Sequence, residues 1–600
     1  MALSRKVLTP TRLAVECSDR NLLQICKHVK RFTHLDLYSE ILHNNTDALM
    51  NSRYNKGLSF TMRERQLLSI HGLMPCSIRP IEEQVEVAKL NFMARHDPLG
   101  QYTYLMSLRQ LHERVFFRFI REHTELTLPI MYTPTVGSAV TLFSTVYRSG
   151  MGMYVTIYDR GHIFDVLKNW RVPNVRGVCV TDGGRILGLG DMGANGMGIV
   201  LGKLFLYTAL GGVPPNLLLP ITLDVGTDNK MLLEDPHYVG ARLGRIKGAE
   251  YDDFVEEFMQ AVAKCFGDDT LIHFEDFATP NAYKFLRKYQ HKYSYFNDDI
   301  QGTSAIGLAG FLAAERLLKY KLEDQVFLFV GAGSAAIGIA NLLVRELRSR
   351  GLSKEKACSN IYVVEMYGLL TTKSKGLNED TCRYAKDIEP IVDLEEVVDK
   401  LKPAILLAAT GTAGVISEKV LRLMAQHNER PVVFALSNPT SNAECTAEQA
   451  FQHTEGRVIF SSGSPFPPVV VNGKRFTTGQ ANNCLAFPGI ALGALSMRAR
   501  HLPDEIYLKV AHVLANYPSE ESLKTGNLYP LISEVNDLSF SVAMSVADFL
   551  DKNNLSNVHP MPKDICKFMH NYMYRLSYGP SLPNTWKYPP FKRISRPKKS

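Results

Sequence analysis

Apolar residues recur at helical spacing through TMRERQLLSIHGL (61–73) and QYTYLMSLRQLHERVFFRFIREH (101–123), and Thr61 stands where an N-cap belongs. This stretch predicts a helical N-terminal domain whose Tyr and Phe stripe serves as core or oligomer contact. Beyond IMYTPTVG (130–137), short apolar runs such as MYVTIYD and RGVCVTD alternate with helical stretches such as GIVLGKLFLYTAL, the pattern of an α/β domain. A second α/β unit starts near Gln301. There KLEDQVFLFVGAGSAAIGIANLLVREL reads as strand, glycine turn and helix, and NIYVVEMYG, PAILLAAT and PVVFALSNP read as further strands ending in polar residues.

The fold class that follows is multidomain α/β: a Rossmann-like dinucleotide-binding domain, an α/β substrate domain and a helical N-terminal domain. The expected boundaries are an N-terminal extension over 1–42, the helical domain over 43–150, a substrate and metal domain over 151–297, the dinucleotide domain over 298–483, a return to the substrate domain over 484–560, and a surface-wrapping C-terminal extension over 561–600. A chain of 600 residues exceeds one core and fits about three to four domains.

The net charge of +8 is small for this length and the basic residues are dispersed, which argues against nucleic-acid binding. The basic tail over 592–599 reads as a solvated end. Ten cysteines at irregular spacing without a CxxC pair fit reduced thiols better than a disulfide framework or a zinc site. The most apolar stretch, 198–219, is interrupted by Lys203 and by Pro214 and Pro215, so no membrane span is expected. The first 31 residues carry Arg5, Lys6, Arg12, Arg20, Lys27, Lys30 and Arg31 against Glu16 and Asp19. That bias resembles a mitochondrial presequence and points to the matrix, with a plain cytoplasmic extension as the alternative.

Candidate chemistry concentrates in four carboxylates: Glu275 and Asp276 in HFEDF, and Asp298 and Asp299 in FNDDIQG. Beside Phe274, Phe277 and Phe296 they would be desolvated and mutually repulsive unless a cation neutralises them. An all-oxygen set suits Mg²⁺ or Mn²⁺, whereas zinc more often brings His or Cys. Taken alone, the same acids could be solvated loop residues or helix N-caps. Two glycine patterns compete for a dinucleotide. GLGDMG (Gly188, Gly190, Gly193) fits GxGxxG literally, while Gly331, Gly333 and Ala336 follow the strand run VFLFV and open a helix. That context favours the Gly331 loop, with Glu365 closing the next strand as a ribose partner, and leaves GLGDMG as a tight turn lining a cleft. Lys203 reads either as a snorkelling lysine or as a desolvated general base. Tyr132, in the loop IMYTPTVG, reads equally well as a buried hydrogen-bonded phenol. Arg185 is a candidate carboxylate clamp, and Asn438, Asn482 and Asn483 are candidates for orienting a substrate.

YTPTVG, RILGLGDMG, GMGIVLGKL, FEDF, FNDDIQGT, GAGSAAIGIA, ALSNPT, ECTAEQA, SGSPF and FPGIALG together, from about Lys56 to Phe549, resemble the malic enzymes and stand in that family's order. The resemblance implies oxidative decarboxylation of L-malate to pyruvate and CO₂ with reduction of NAD or NADP, dependent on Mn²⁺ or Mg²⁺, in a homotetramer built as a dimer of dimers. It implies metal ligation by Glu275, Asp276 and Asp299, and malate orientation by Arg185, Asn438 and Asn483. Lys203 becomes the base at the C2 hydroxyl, Asp298 supports its proton network, and Tyr132 is the acid that protonates C3. The dinucleotide contacts are Gly331, Gly333, Ala336, Glu365 and Asn438.

Three positions depart from the family's pattern: Ser334 where Glu is usual, Ala481 where Gly is usual, and Glu365 where Asp is usual. Glu365 favours a 2′-hydroxyl, but the lysine that distinguishes NADP users falls near Cys382, beside Arg383, and cofactor choice stays open. The arginines of fumarate-activated relatives fall at Val87 and Leu111, so no fumarate activation is expected. The alternatives are a catalytically weak paralogue that binds nucleotide, which Ser334 and Ala481 motivate, and a 2-hydroxy-acid dehydrogenase that does not decarboxylate.

Overall fold

The computed structural model describes residues 45–147 and 150–582; the basic N-terminal stretch and the 592–599 tail lie outside the described residues. By packing, these residues form two compact units. One comprises 45–87, 108–115 and 577–582, and the other comprises 88–107 and 116–576.

In the first unit Thr61 and Glu64 form a reciprocal capping box at the helix Met62–Leu67. Arg65, 1% exposed, donates to the carbonyls of Leu58, Phe60, Pro75 and Ser77, holding a long loop around one guanidinium. The helical run 101–123 breaks at His112 into Pro98–Leu111 and Glu113–Glu122. No Gly or Pro causes the break. The Glu113 amide leaves the helical ladder to donate to the Ser52 carbonyl, an interaction that periodicity along 101–123 does not encode.

The second unit holds two parallel sheets. The first contains β1 (Met153–Thr156), β2 (Gly177–Thr181), β3 (Leu218–Asp224), β4 (Leu271–Phe274) and β5 (Tyr295–Asn297) in the order β1-β3-β2-β4-β5. The second contains β6 (Phe327–Val330), β7 (Ile361–Glu365), β8 (Gly368–Leu369), β9 (Ile405–Ala408), β10 (Val432–Ala435), β11 (Ile459–Ser462) and β14 (Gly479–Gln480). Their order is β14-β11-β10-β9-β6-β7-β8, with only β8 antiparallel, and a small hairpin, β12 (Val469–Val471) and β13 (Lys474–Phe476), stands apart. Strands β2, β3, β4, β6, β9 and β10 are buried along their whole length, as continuous apolar runs require in sheets covered on both faces.

Five helices set the site: α1 (Thr124–Met131), α2 (Met197–Ala209), α3 (Thr303–Leu318), α4 (Ser334–Ser349) and α5 (Phe487–Ser496). Every residue of α2 is buried, Lys203 included. No helix among the described residues is long and apolar enough to cross a membrane.

Candidate active site

A cleft of about 880 Å³ in the second unit is lined by the segments that follow β4, β5, β6, β7, β9, β10 and β14. Both sheets thus present their carboxyl ends to it, the end of open α/β sheets where ligands bind.

Glu275 and Asp276 leave the end of β4, and Asp298 and Asp299 leave the end of β5 on a π-helical turn, Asp298–Gly302, that runs into α3. Two groups of three potential ligands result, Glu275 with Asp276 and Asp299, and His273 with Glu275 and Asp298; within each, the ligand atoms lie within 4.8 Å of one another. His273 is fully buried with both ring nitrogens engaged, Nδ1 with the Tyr207 hydroxyl at 2.7 Å and Nε2 with Glu275 Oε2 at 2.9 Å. Burial holds it neutral, at about 3. His273 therefore orients Glu275 from behind, as outer partners do at metal sites. The first group faces the cleft.

Asp276 takes φ +57°, a left-handed conformation. Its amide donates to Asp299 Oδ2 at 2.7 Å, and its Oδ2 accepts from the Leu187 amide at 3.2 Å. Among the described residues neither Asp276 nor Asp299 has an ion-pair partner. Burial and the neighbouring carboxylates raise both well above the usual carboxylate range, and burial lifts Glu275 to about 7. Three hard oxygen donors with deficient counter-charge fit Mg²⁺ or Mn²⁺.

Lys203 reaches Glu275 and Asp298 from α2. Its Nζ contacts Asp298 Oδ2 and lies 2.9 Å from Glu275 Oε1, against the rings of Phe487 (4.5 Å) and Tyr132 (5.4 Å). Burial works against the charged ammonium, but Asp298 and Glu275 outweigh it and raise Lys203 well above the ordinary lysine range. The desolvated lysine of lowered proton affinity expected from the sequence is thus held charged while Glu275 keeps its full negative charge. Tyr132, at the end of α1, lines the cleft, and burial holds its phenol protonated well above the ordinary value. Asn483 lines the cleft, but its amide donates to Asp298 Oδ2 (3.0 Å) and Thr303 Oγ1 (2.9 Å), so it orients Asp298. Asn438 lines the cleft and accepts from the Ser464 hydroxyl.

Arg185 is exposed and lines the cleft from the loop that carries GLGDMG. That loop is a tight turn, Ile186 N to Gly190 O at 2.9 Å, with Gly188 at the cleft. One end is fastened to Asp276 through the Arg185 and Leu187 amides. The other end is clamped by Arg245. Its Nε and Nη2 bond both oxygens of Asp191 at 2.8 and 2.6 Å, and its Nη1 reaches the Asp182 carbonyl at 3.0 Å. Tyr251 donates to Asp182 at 2.6 Å. Sequence reasoning missed this clamp and His273. Asp191 stands inside GLGDMG, but Asp182 and Arg245 belong to no motif that points to it, and His273 stands inside the quoted HFEDF with only its burial to distinguish it.

In the second sheet the Gly331 loop leaves β6 at the switch point between β6 and β9. Gly331 takes φ +104°, and a Cβ there would sit 2.7 Å from the Ala409 carbonyl oxygen. Gly333 precedes α4, whose N-terminus faces the cleft. Ala336 is fully buried and does not line the cleft; packing of α4 is its role, as for Gly338, where a Cβ would meet the Ile300 carbonyl at 3.0 Å. Glu365 ends β7 and lines the cleft with the exposed Met366 and Tyr367. Cys382 and Arg383 do not line it, and Arg383 donates to Asn341 at 3.2 Å.

Comparison with known proteins bears on this geometry. Residues 109–290 match the family model of the malic enzyme N-terminal domain, and residues 300–550 match that of the malic enzyme NAD binding domain. The NADP-dependent malic enzyme of Anas platyrhynchos is 44% identical over 544 residues, covering 90% of this chain and 98% of the relative. The mitochondrial NAD-dependent malic enzyme of Ascaris suum is 42% identical over 547 residues, covering 91% of this chain and 85% of the relative. The crystal structure of the Entamoeba histolytica malic enzyme shares the fold at 23% identity and a TM-score of 0.52, over 84% of this chain and 90% of that one. Apart from Asp298 and Asp299, which fall between the two matched ranges, the site lies inside matched domains, and at this identity over most of the length of its relatives the chain belongs to the malic enzyme family.

Proposed function

We propose that the protein catalyses oxidative decarboxylation of L-malate to pyruvate and CO₂ with reduction of a nicotinamide dinucleotide. The observation that carries this is the meeting, in one cleft, of a counter-charge-deficient carboxylate triad, a buried lysine and a protonated phenol with a glycine loop at a sheet switch point. Glu275, Asp276 and Asp299 hold Mn²⁺ or Mg²⁺. When bound, the cation draws electron density from the C2 oxygen and the nicotinamide takes the C2 hydride.

Arg185 clamps a malate carboxylate through its fork, beside Asn438. With Glu275 neutralised, Lys203 loses one of the two carboxylates that hold it charged, and desolvation lowers its proton affinity in the direction a base needs. Lys203 then takes the C2 hydroxyl proton as the hydride departs, with Asp298, oriented by Asn483, sharing that proton. After CO₂ leaves, Tyr132 donates a proton to C3 of enolpyruvate.

Gly331 and Gly333 carry the pyrophosphate and Glu365 the adenosine ribose. Among the described residues that line the cleft the cations are Arg185 and Lys203, both at the substrate end, so a 2′-phosphate beside Glu365 would meet a carboxylate and no lining cation among them. NAD is therefore the preferred dinucleotide. The chain acts as a homotetramer in the mitochondrial matrix, and Val87 and Leu111 give it no fumarate activation.

Incubating the full chain with L-malate and Mn²⁺, separately with NAD⁺ and NADP⁺, tests the reading. Equimolar reduced cofactor, pyruvate and CO₂ are expected, with the lower KM for NAD⁺. Cofactor reduction without CO₂ would make the protein a simple dehydrogenase, and nucleotide binding without turnover would make it a non-catalytic relative.

A further inference from the structure

The ECTAEQA segment has no part in the chemistry above, yet its Glu444 is a completely buried carboxylate at the rim of the cleft. Among the described residues no lysine or arginine pairs with it. Four donors satisfy it instead: the Thr410 amide at 2.7 Å, the Thr410 hydroxyl at 3.1 Å, the Ser437 amide at 3.3 Å and the Ser437 hydroxyl. The Ser437 hydroxyl in turn accepts from the Gly411 amide at 2.8 Å. The backbone of Glu444 is itself fixed, its carbonyl accepting from the Ile416 amide at 3.0 Å.

These contacts join the segments that follow β9 and β10, and both line the cleft through Thr410, Gly411, Ser437 and Asn438. Sheet order decides which part of a dinucleotide they face. The glycine loop stands after the central β6, and Glu365 lies on the β7 side, so the β9–β10 side is left for the other nucleotide half. That side also adjoins the substrate arginine: a Cβ at Gly411 would lie 3.7 Å from Arg185 Nη2.

We infer that Glu444 is a positioning residue that cross-links the segments after β9 and β10 into a rigid seat for the nicotinamide half of the dinucleotide, without touching it. The inference rests on the dinucleotide reading given above. A buried carboxylate accepting this many bonds has little freedom, and the segments it holds inherit that rigidity. In Glu444→Gln the amide NH₂ opposes at least one donor that the carboxylate satisfied, so the cross-link loosens while side-chain volume is kept.

The test is the dissociation constant, by calorimetry, of NAD⁺ and NADP⁺ set against ADP-ribose and 2′-phospho-ADP-ribose, which lack nicotinamide. Glu444→Gln is expected to weaken the preferred dinucleotide by about tenfold while leaving the nicotinamide-free analogue within about twofold of wild type. Ser437→Ala, which removes one member of the cross-link, is expected to show the same selectivity at smaller size and decides the question if Glu444→Gln does not fold. Equal weakening of both ligands, or none of either, overturns the inference and leaves the dinucleotide reading intact. A wild-type chain that binds neither dinucleotide overturns both.

Discussion

Two acid clusters flank the loop that carries Arg185, and they are built in opposite ways. At one end Asp191 meets the Arg245 fork, and although burial opposes ionisation, the bonds from Arg245 hold its carboxyl below the usual range. At the other end Asp276 and Asp299 face Glu275 and one another, and burial with mutual repulsion drives them up. Both clusters are buried or half-buried carboxylates in the same unit. The difference is that Arg245 bonds both oxygens of Asp191, whereas in the second cluster Lys203 pairs with Glu275 alone and leaves Asp276 and Asp299 without a cation among the described residues, which makes the first a fixed strut and the second a receptor for an external divalent ion. A receptor of this kind stores repulsion in the metal-free protein, the cost a functional site bears in stability.

The contrast can be broken from either side. Asp276→Asn keeps a residue that tolerates the left-handed backbone and removes one charge. It should lower turnover by about 10³-fold, measured as pyruvate formed under saturating malate and Mn²⁺. Arg245→Met strips the strut of its cation and leaves the buried Asp182 and the half-buried Asp191 with neutral donors alone, at a cost of about 3 kcal/mol in denaturant unfolding. Its KM for malate should rise more than its kcat falls, because Arg185 loses its anchored loop. Lys203→Ala should reduce kcat by about 10²-fold with dinucleotide affinity unchanged; near-normal kcat would remove Lys203 from the role of base.

The smallest effect concerns a surface carboxylate that, like Asp191, has its own partners. Burial works against Glu256, but bonds from Lys288, Gln260, Tyr289 and Lys292 outweigh it and hold the group at about 2, against an ordinary value of 4.5. Because the folded value is depressed, its contribution is fully present above 4.5 and is lost as pH falls from 4.5 toward 2. Glu256→Gln should flatten the acid limb of the stability profile in that window and leave neutral pH little changed.

What could be read in advance follows from how local each feature is. HFEDF, FNDDIQG and GAGSAA are contiguous, so the triad and the glycine loop were legible as chemistry, and the buried strands β6, β9 and β10 as apolar runs. The Arg245 strut was not, because Arg245 lies more than fifty residues beyond the loop that holds Asp182 and Asp191, and no spacing links them. Lys203 was legible as a misplaced charge inside an apolar helix, but not the two carboxylates that hold it charged. The break at His112 escaped for the same reason as the strut: a distant carbonyl, Ser52, decides it. Asn483 lines the cleft, yet the direction of its amide depends on Asp298 and Thr303, which only the folded chain brings to it.

The most direct test of the receptor account is Mn²⁺ titration of the wild-type chain and Asp276→Asn, by calorimetry and by thermal unfolding, with dinucleotide affinity measured alongside. The account predicts that the wild type binds a single Mn²⁺ per chain and gains Tm from it. It also predicts that Asp276→Asn binds Mn²⁺ far more weakly, unfolds at a higher Tm than the wild type when both are metal-free, and binds dinucleotide normally. Undiminished Mn²⁺ binding by the variant, or a metal-free variant less stable than the wild type, would contradict it.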